Sequence, residues 1–461
     1  MSEKRSVSTM MATRRQSNDE QMRWYQGSFD RLEKGLNGGS KSALHALRRT
    51  AFEHFKETGF PTTRDEEWRF TNVASIAKIN FEPALEPSAP TADELDVHRW
   101  SFDGMKTNRL VFVNGHYMSK LSSIHALPGG VRLGSLAAAL RSDTVLVEQH
   151  ITRYARFDTN PFTALSTAFI QDGAFIFVPD NTILAEPVQL LFYATDGNDP
   201  FVVHPRNLIV TGRNCRLSIV ETYVGHKGNS YMTNVVTEMV AGENTVVEHD
   251  KFQTESLQSF HIGSTHIQMH RNSVLTSNSI ALGGSIVRNT IVAVLAGEGA
   301  ECTLNGLSLT TGRQLIDNHT TIDHASGNCA SRELYKAILD GKSHGVFNGK
   351  IYVRKDAQKT DAKQTNKTLL LSDEATIDTK PQLEIFADDV KCTHGATVGQ
   401  LDEEQVFYLR SRGIGETDAR DLLTFAFASD IIAKVHVAPL RAQLESLLHG
   451  YLHHGRVTRE A

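Results

Sequence analysis

The most distinctive chemistry in the sequence is Cys392-Thr393-His394, a thiol and an imidazole one residue apart. On an extended backbone, residues i and i+2 face one side of the strand, about 6.6 Å apart. The preceding run Leu383 to Val390 reads as extended. A soft thiolate beside an imidazole suits iron or an iron–sulfur cluster. Two ligands complete neither, so the rest must come from elsewhere, most simply across a subunit interface. The same residues also read as a buried thiol and a histidine bonded to a turn at Gly395. The spacing alone leaves both readings open.

The other candidates are weaker. Cys215, Cys302 and Cys329 complete the four cysteines, and no CxxC pair exists to hold zinc or a whole cluster. Cys215 and Cys329 each follow an asparagine, and both read as small apolar fillers at equivalent coil positions. His319 and His324 are five apart, so on a strand they face opposite sides and read as structural. Gly341-Lys342-Ser343 looks like the end of a phosphate-binding loop. The glycine that this loop needs five residues earlier is replaced by Lys336, so nucleotide chemistry is assigned to a partner and no nucleotide to this chain. Asp388-Asp389 would be the paired carboxylates of a polysaccharide lyase or hydrolase. Neighbours on a strand point apart, however, and glycosidases need both carboxyls at one bond.

Composition removes further classes. A net charge of −5 gives no basic footprint for nucleic acid. No apolar run approaches the ~18 residues of a membrane span, which excludes membrane insertion by a helix. The longest candidate, Phe425 to Val437, is broken by Asp430 and Lys434. Residues 1–20 lack the apolar core of a signal peptide, and their Ser, Thr and Arg are mixed with Glu3, Asp19 and Glu20. They are expected to be a disordered tail rather than a targeting segment. Free thiols without a secretion signal predict a cytoplasmic location.

The elements that position these residues follow from periodicity. Residues 21–95 read as a helical region and linker. A capping box at Ser17-x-x-Glu20 precedes Met22, Tyr25, Phe29 and Leu32 at helical spacing. A second helix is expected from Ser42 to Thr58, and Pro83, Pro87 and Pro90 mark a stiff linker. Residues 96–168 form a mixed α/β connection with a hairpin at Asn114-Gly115. Over 169–392, short β-rich runs recur between turns. Asn214, Asn244, Asn272, Gly299, Asn328 and Asp356 are spaced by 30, 28, 27, 29 and 28 residues. Residues that favour positive φ at so regular a period predict a parallel β-helix, with a β-sandwich as the alternative. Residues 393–461 read as a helical domain. Leu422, Leu423, Phe425, Ala426, Ile431 and Ile432 give its middle helix a wide apolar stripe, suited either to a partner or to packing on the solenoid. Helices before and after the solenoid are expected to cap its ends.

A set of motifs carries a family resemblance. Asn318-His-Thr320, Glu333-Leu-Tyr-Lys336, Val346-Phe-Asn-Gly-Lys-Ile351, Leu383-Glu-Ile-Phe-Ala-Asp-Asp-Val390 and Cys392-Thr-His-Gly-Ala-Thr-Val-Gly399 resemble the core of the SufB/SufD family of iron–sulfur cluster assembly scaffolds. Arg64-Asp-Glu-Glu-Trp-Arg-Phe-Thr71 and His394-Gly-Ala-Thr-Val-Gly399, which lacks a glutamate after the histidine, resemble the SufD side of that family. The resemblance implies a right-handed parallel β-helix between helical ends and a non-catalytic scaffold role. It implies a SufB-like partner pairing through the β-helix and a SufC-type ABC ATPase on the C-terminal helices, for which Leu422, Leu423 and Phe425 are the expected contacts. It also places Cys392 and His394 at the SufB-like interface, as ligands of a transient, nascent iron–sulfur cluster. Pairing with a second copy of this chain, and a purely structural scaffold that only docks the ATPase, remain as alternatives.

Overall fold

Two ten-residue strands joined by turns form the repeating unit of this protein. In the computed structural model, which describes residues 20–36, 42–87, 97–102, 105–195, 197, 199–228 and 230–457, they stack into two parallel sheets. Ile286–Leu295, Leu315–His324, His344–Val353 and Thr376–Ile385 follow one another in the first sheet. Glu301–Thr310, Ala330–Leu339, Asp361–Leu370 and Lys391–Gly399 do so in the second. The fold is a parallel β-solenoid of about eight turns with helices at both ends of the chain. The Ser17 cap, Pro90 and the tail expected over 1–20, apart from Glu20, lie outside the described residues.

One corner of each coil needs a left-handed residue. Asn181, Asn214, Asn244, Asn272, Gly299, Asn328 and Lys359 supply it, with φ between 54° and 73°. Five of the six turn positions expected from sequence are among them. The sixth moves from Asp356 to Lys359 because that coil is longer. The asparagines also bond along the axis: Asn214 Nδ2 donates to Asn181 Oδ1 (2.7 Å), Asn244 to Asn214 (3.1 Å) and Asn272 to Asn244 (3.1 Å).

Parallel pairing begins before 169 and runs past 392. Asn108–Val113 pairs in parallel with Val188–Ala194, and Lys391–Gly399 pairs with Asp361–Leu370. Gly395 and Gly399, which disfavour strands, hid the β character of the last strand, and residues 393–399 belong to the solenoid. The hairpin at Asn114-Gly115 forms, with Val113 opposite His116. Pro83 lies not in a free linker but in the short strand Glu82–Pro83, paired with Phe201–Val203.

The helices flank the solenoid instead of capping its last coil. In Glu416–Ile432, Ala428, Ile431 and Ile432 pack on Val220, Phe252, Ile280, Leu307 and Ile338, the apolar outer row of the second sheet. Lys336 Nζ fixes that helix by donating to Asp430 Oδ2 (2.5 Å) and the Phe427 carbonyl (2.9 Å). The outer face of the first sheet is covered by the N-terminal helices, 20–35 and Ala43–Thr58, together with Pro161–Ala168. The outer row of the second sheet is apolar and demands cover; no described helix covers the last coil of the solenoid. No helix among the described residues is long and apolar enough to cross a membrane.

Candidate functional site

Thr376–Ile385 and Lys391–Gly399 are the terminal strands of the two sheets, and no described strand pairs beyond them. In the second sheet Cys392 lies opposite Ala362, and His394 opposite Gln364. Along Asp361–Leu370, Ala362, Gln364, Asn366 and Thr368 are buried, whereas Lys363 and Lys367 are exposed. The two-residue alternation therefore places Cys392 and His394 on the inward side of the last coil. Cys392 is half-buried against the cluster of Ile351, Val353, Ala357, Ala362 and Ala387. His394 is exposed because no coil lies above it. Gly395 sits within a continuous strand, so the turn-bonded reading of His394 does not hold.

Burial pushes the Cys392 thiol above its usual range, and the Asp361 carboxylate adds to that, against a backbone hydrogen bond at Ala362. A metal binding there must displace the proton, which its charge favours. No group of three or more His, Cys, Asp or Glu suited to a metal occurs among the described residues. Cys392 and His394 by themselves offer two donors, fewer than an iron site needs.

Beneath His394 stands a column of polar side chains that the sequence reading missed. Gln364 Nε2 donates to Glu333 Oε2 at 2.7 Å. Burial raises Glu333 to about 7, against the hydrogen bond from Gln364. Gly349 leaves the space that Gln364 fills, since a Cβ there would overlap its carboxamide. Deeper in the interior, Lys251 Nζ donates to Asn289 Oδ1 (2.8 Å), and Tyr223 Oη donates to Glu221 Oε2 (2.7 Å). His261 Nδ1 meets Glu255 Oε2 at 2.7 Å. A signal existed: Glu221, His249, Lys251 and Glu333 fall on the inward parity of their strands.

Comparison with known proteins bears on this arrangement. Residues 192–427 match the model of the SUF system FeS cluster assembly SufBD core domain, and 19–190 match the SufBD protein N-terminal region. An iron–sulfur cluster assembly SufBD family protein of Synechocystis is 35% identical, with 89% of this chain and 91% of that protein aligned. The iron–sulfur cluster assembly protein SufD of Escherichia coli is 31% identical, over 84% of this chain and 88% of its own. SufD of Bacillus subtilis is 27% identical, over 88% and 93%. The chain belongs to the SufB/SufD family. It is SufD-like, and its role lies in iron–sulfur cluster assembly.

The remaining motifs of this SufB/SufD chain find structural explanations. The Glu-Glu-Trp segment docks on the first sheet. The Arg288 guanidinium stacks 3.8 Å over Trp68 and donates to the Glu67 carbonyl (2.8 Å) and Asp317 Oδ2 (2.6 Å). His319 stands between Asp317 Oδ1 (3.0 Å) and Glu67 Oε2 (3.4 Å), and Thr71 Oγ1 also donates to Asp317. His324 points inward, 2.9 Å from Ser331 Oγ, so the two histidines do face opposite sides. Cys215 and Cys329 are buried with their sulfurs against turn carbonyls, and Cys302 is buried in the core. Gly341 (φ 66°) turns a corner between strands, and Lys342 pairs with Glu374. Asp388 and Asp389 lie in an exposed turn rather than on a strand. Of the expected partner contacts, Leu422 is exposed, while Leu423 and Phe425 are half-buried, Phe425 stacking on His449. Phe407 and Tyr408, exposed on the neighbouring helix Glu403–Ser411, were not singled out in the sequence.

Proposed function

We propose that this chain is a non-catalytic scaffold subunit that pairs through its last coil with a SufB-like subunit. A nascent iron–sulfur cluster, the cargo, is assembled at that seam, with Cys392 and His394 as this chain's ligands. The observation that carries the reading is the pair's position: both side chains face inward on a terminal coil whose strands have no further partner among the described residues. An open pair of strand edges is a template for another chain, and a second chain there brings its own ligands to complete the coordination. A SufC-type ATPase docks on the C-terminal helices. Support comes from Phe407, Tyr408 and Leu422, large apolar side chains exposed on two successive helices. The test is co-expression with SufB-like and SufC-type subunits. Val398→Lys on the terminal strand is expected to abolish recovery of the SufB-like chain while leaving the ATPase bound. Full recovery of both would refute pairing through this edge.

A further inference from the structure

Gln364 is 2% exposed, and its Oε1 is buried without a hydrogen-bond partner. Its carboxamide is held from below: Nε2 donates to Glu333 Oε2 at 2.7 Å, and the side chain lies against Gly349, where a Cβ would overlap it. A carboxamide is planar, with its oxygen and nitrogen directed apart. Nε2 is engaged by Glu333 of the coil below, which leaves Oε1 for a donor from another direction, the coil above among them. The in-register residue there is His394, one strand spacing of about 4.8 Å away. A buried acceptor left open costs about 1–3 kcal/mol, and an imidazole N–H is the donor that this position brings within reach.

We propose that Gln364 is the positioning residue for His394, its Oε1 accepting the N–H of one ring nitrogen. A neutral imidazole carries one proton, so fixing it on one nitrogen leaves the lone pair on the other, turned toward the open seam. Metal-binding histidines use such a partner to set ring orientation and tautomer. Glu333 does not reach the ring; it acts by orienting Gln364. The inference rests on the reading of His394 as a cluster ligand for its purpose, but not for its test.

The test uses the full chain with 15N-labelled histidine at about pH 8.5, where an unperturbed imidazole is neutral. His394 is assigned by its loss in His394→Gln, and its tautomer is read from two-bond 15N–1H couplings. One tautomer is expected in the wild type. Gln364→Met, close in size but without the carbonyl acceptor, should give a mixture. Gln364→Glu, which retains an acceptor oxygen, should restore one form. Glu333→Gln, whose amide both donates and accepts, should give an intermediate ratio and serves if the methionine variant does not fold. Cobalt(II) titration, followed by the thiolate charge-transfer band, should show affinity falling about 10- to 100-fold in Gln364→Met. An unchanged His394 tautomer in both Gln364→Met and Glu333→Gln overturns the proposal, even if His394 proves essential for clusters. A tautomer that shifts as expected, with clusters indifferent to His394, keeps the positioning and refutes the ligand role.

Discussion

At the scale of single residues, one fully buried ion pair holds a loop to the solenoid. Arg206 and Glu238 are both fully buried, joined at 2.6 Å. Glu238 also accepts the backbone N–H groups of Thr152 (2.8 Å), Tyr154 (2.8 Å) and Ala155 (3.0 Å), tying that segment to the first sheet. Arg206→Met would leave the carboxylate in the interior without its cation. The expected loss is about 3–5 kcal/mol in urea unfolding, with Arg206→Met/Glu238→Gln losing less than the single variant. Such a pair was not legible in the sequence, because the coil period places the two strands side by side but does not give the register that brings Arg206 beside Glu238. Cys392 and His394 were legible, since two residues on one strand need no knowledge of the fold to share a face. Their partner Gln364 lies a whole coil away and required the register.

At the scale of elements, the asparagine corner was readable because left-handed backbone restricts residue choice. The coil ending at Lys359 was not, since a longer turn broke the period. Asn244→Val, placing a β-branched residue at φ 54° and cutting the ladder, should cost about 1–3 kcal/mol. Asn244→Gly should cost less, and thermal melting of both variants would check this. The clasp of the Glu-Glu-Trp segment makes a pH prediction. Burial lowers the His319 pKa, but Asp317 and Glu67 more than offset this and leave it raised. Glu67 is lowered, first by its hydrogen bond to His319, with Arg288 and Lys350 adding charge. A raised histidine stabilises fully below its unfolded pKa of about 6.5 and loses that contribution as pH rises through the folded value. A lowered glutamate stabilises above about 4.3 and fails as pH falls. The clasp should therefore hold best between about pH 4.5 and 6.5. The melting-temperature gap between wild type and His319→Gln should shrink as pH rises above that window; a constant gap would contradict the assignment.

At the scale of the whole molecule, helices pack on both outer faces of the solenoid, and no described element covers its last coil. The parallel β-helix was legible from turn period. That the helices would lie along its sides was not, because their apolar stripes match an outer sheet row as well as an end. The exposed terminal coil is built of strands, whereas the exposed Phe407, Tyr408 and Leu422 lie on the helices that follow it. The two docking events should therefore separate: Phe407→Ala/Leu422→Ala should lose the ATPase in pull-down while keeping the SufB-like chain. The central claim concerns the seam itself and is tested by cluster content. The complex carrying Cys392→Ser and His394→Ala is purified and reconstituted anaerobically with iron and sulfide, and bound iron, bound sulfide and visible absorbance are measured per complex. The account predicts that the double variant assembles with both partners but loses the cluster; cluster content equal to wild type would contradict it.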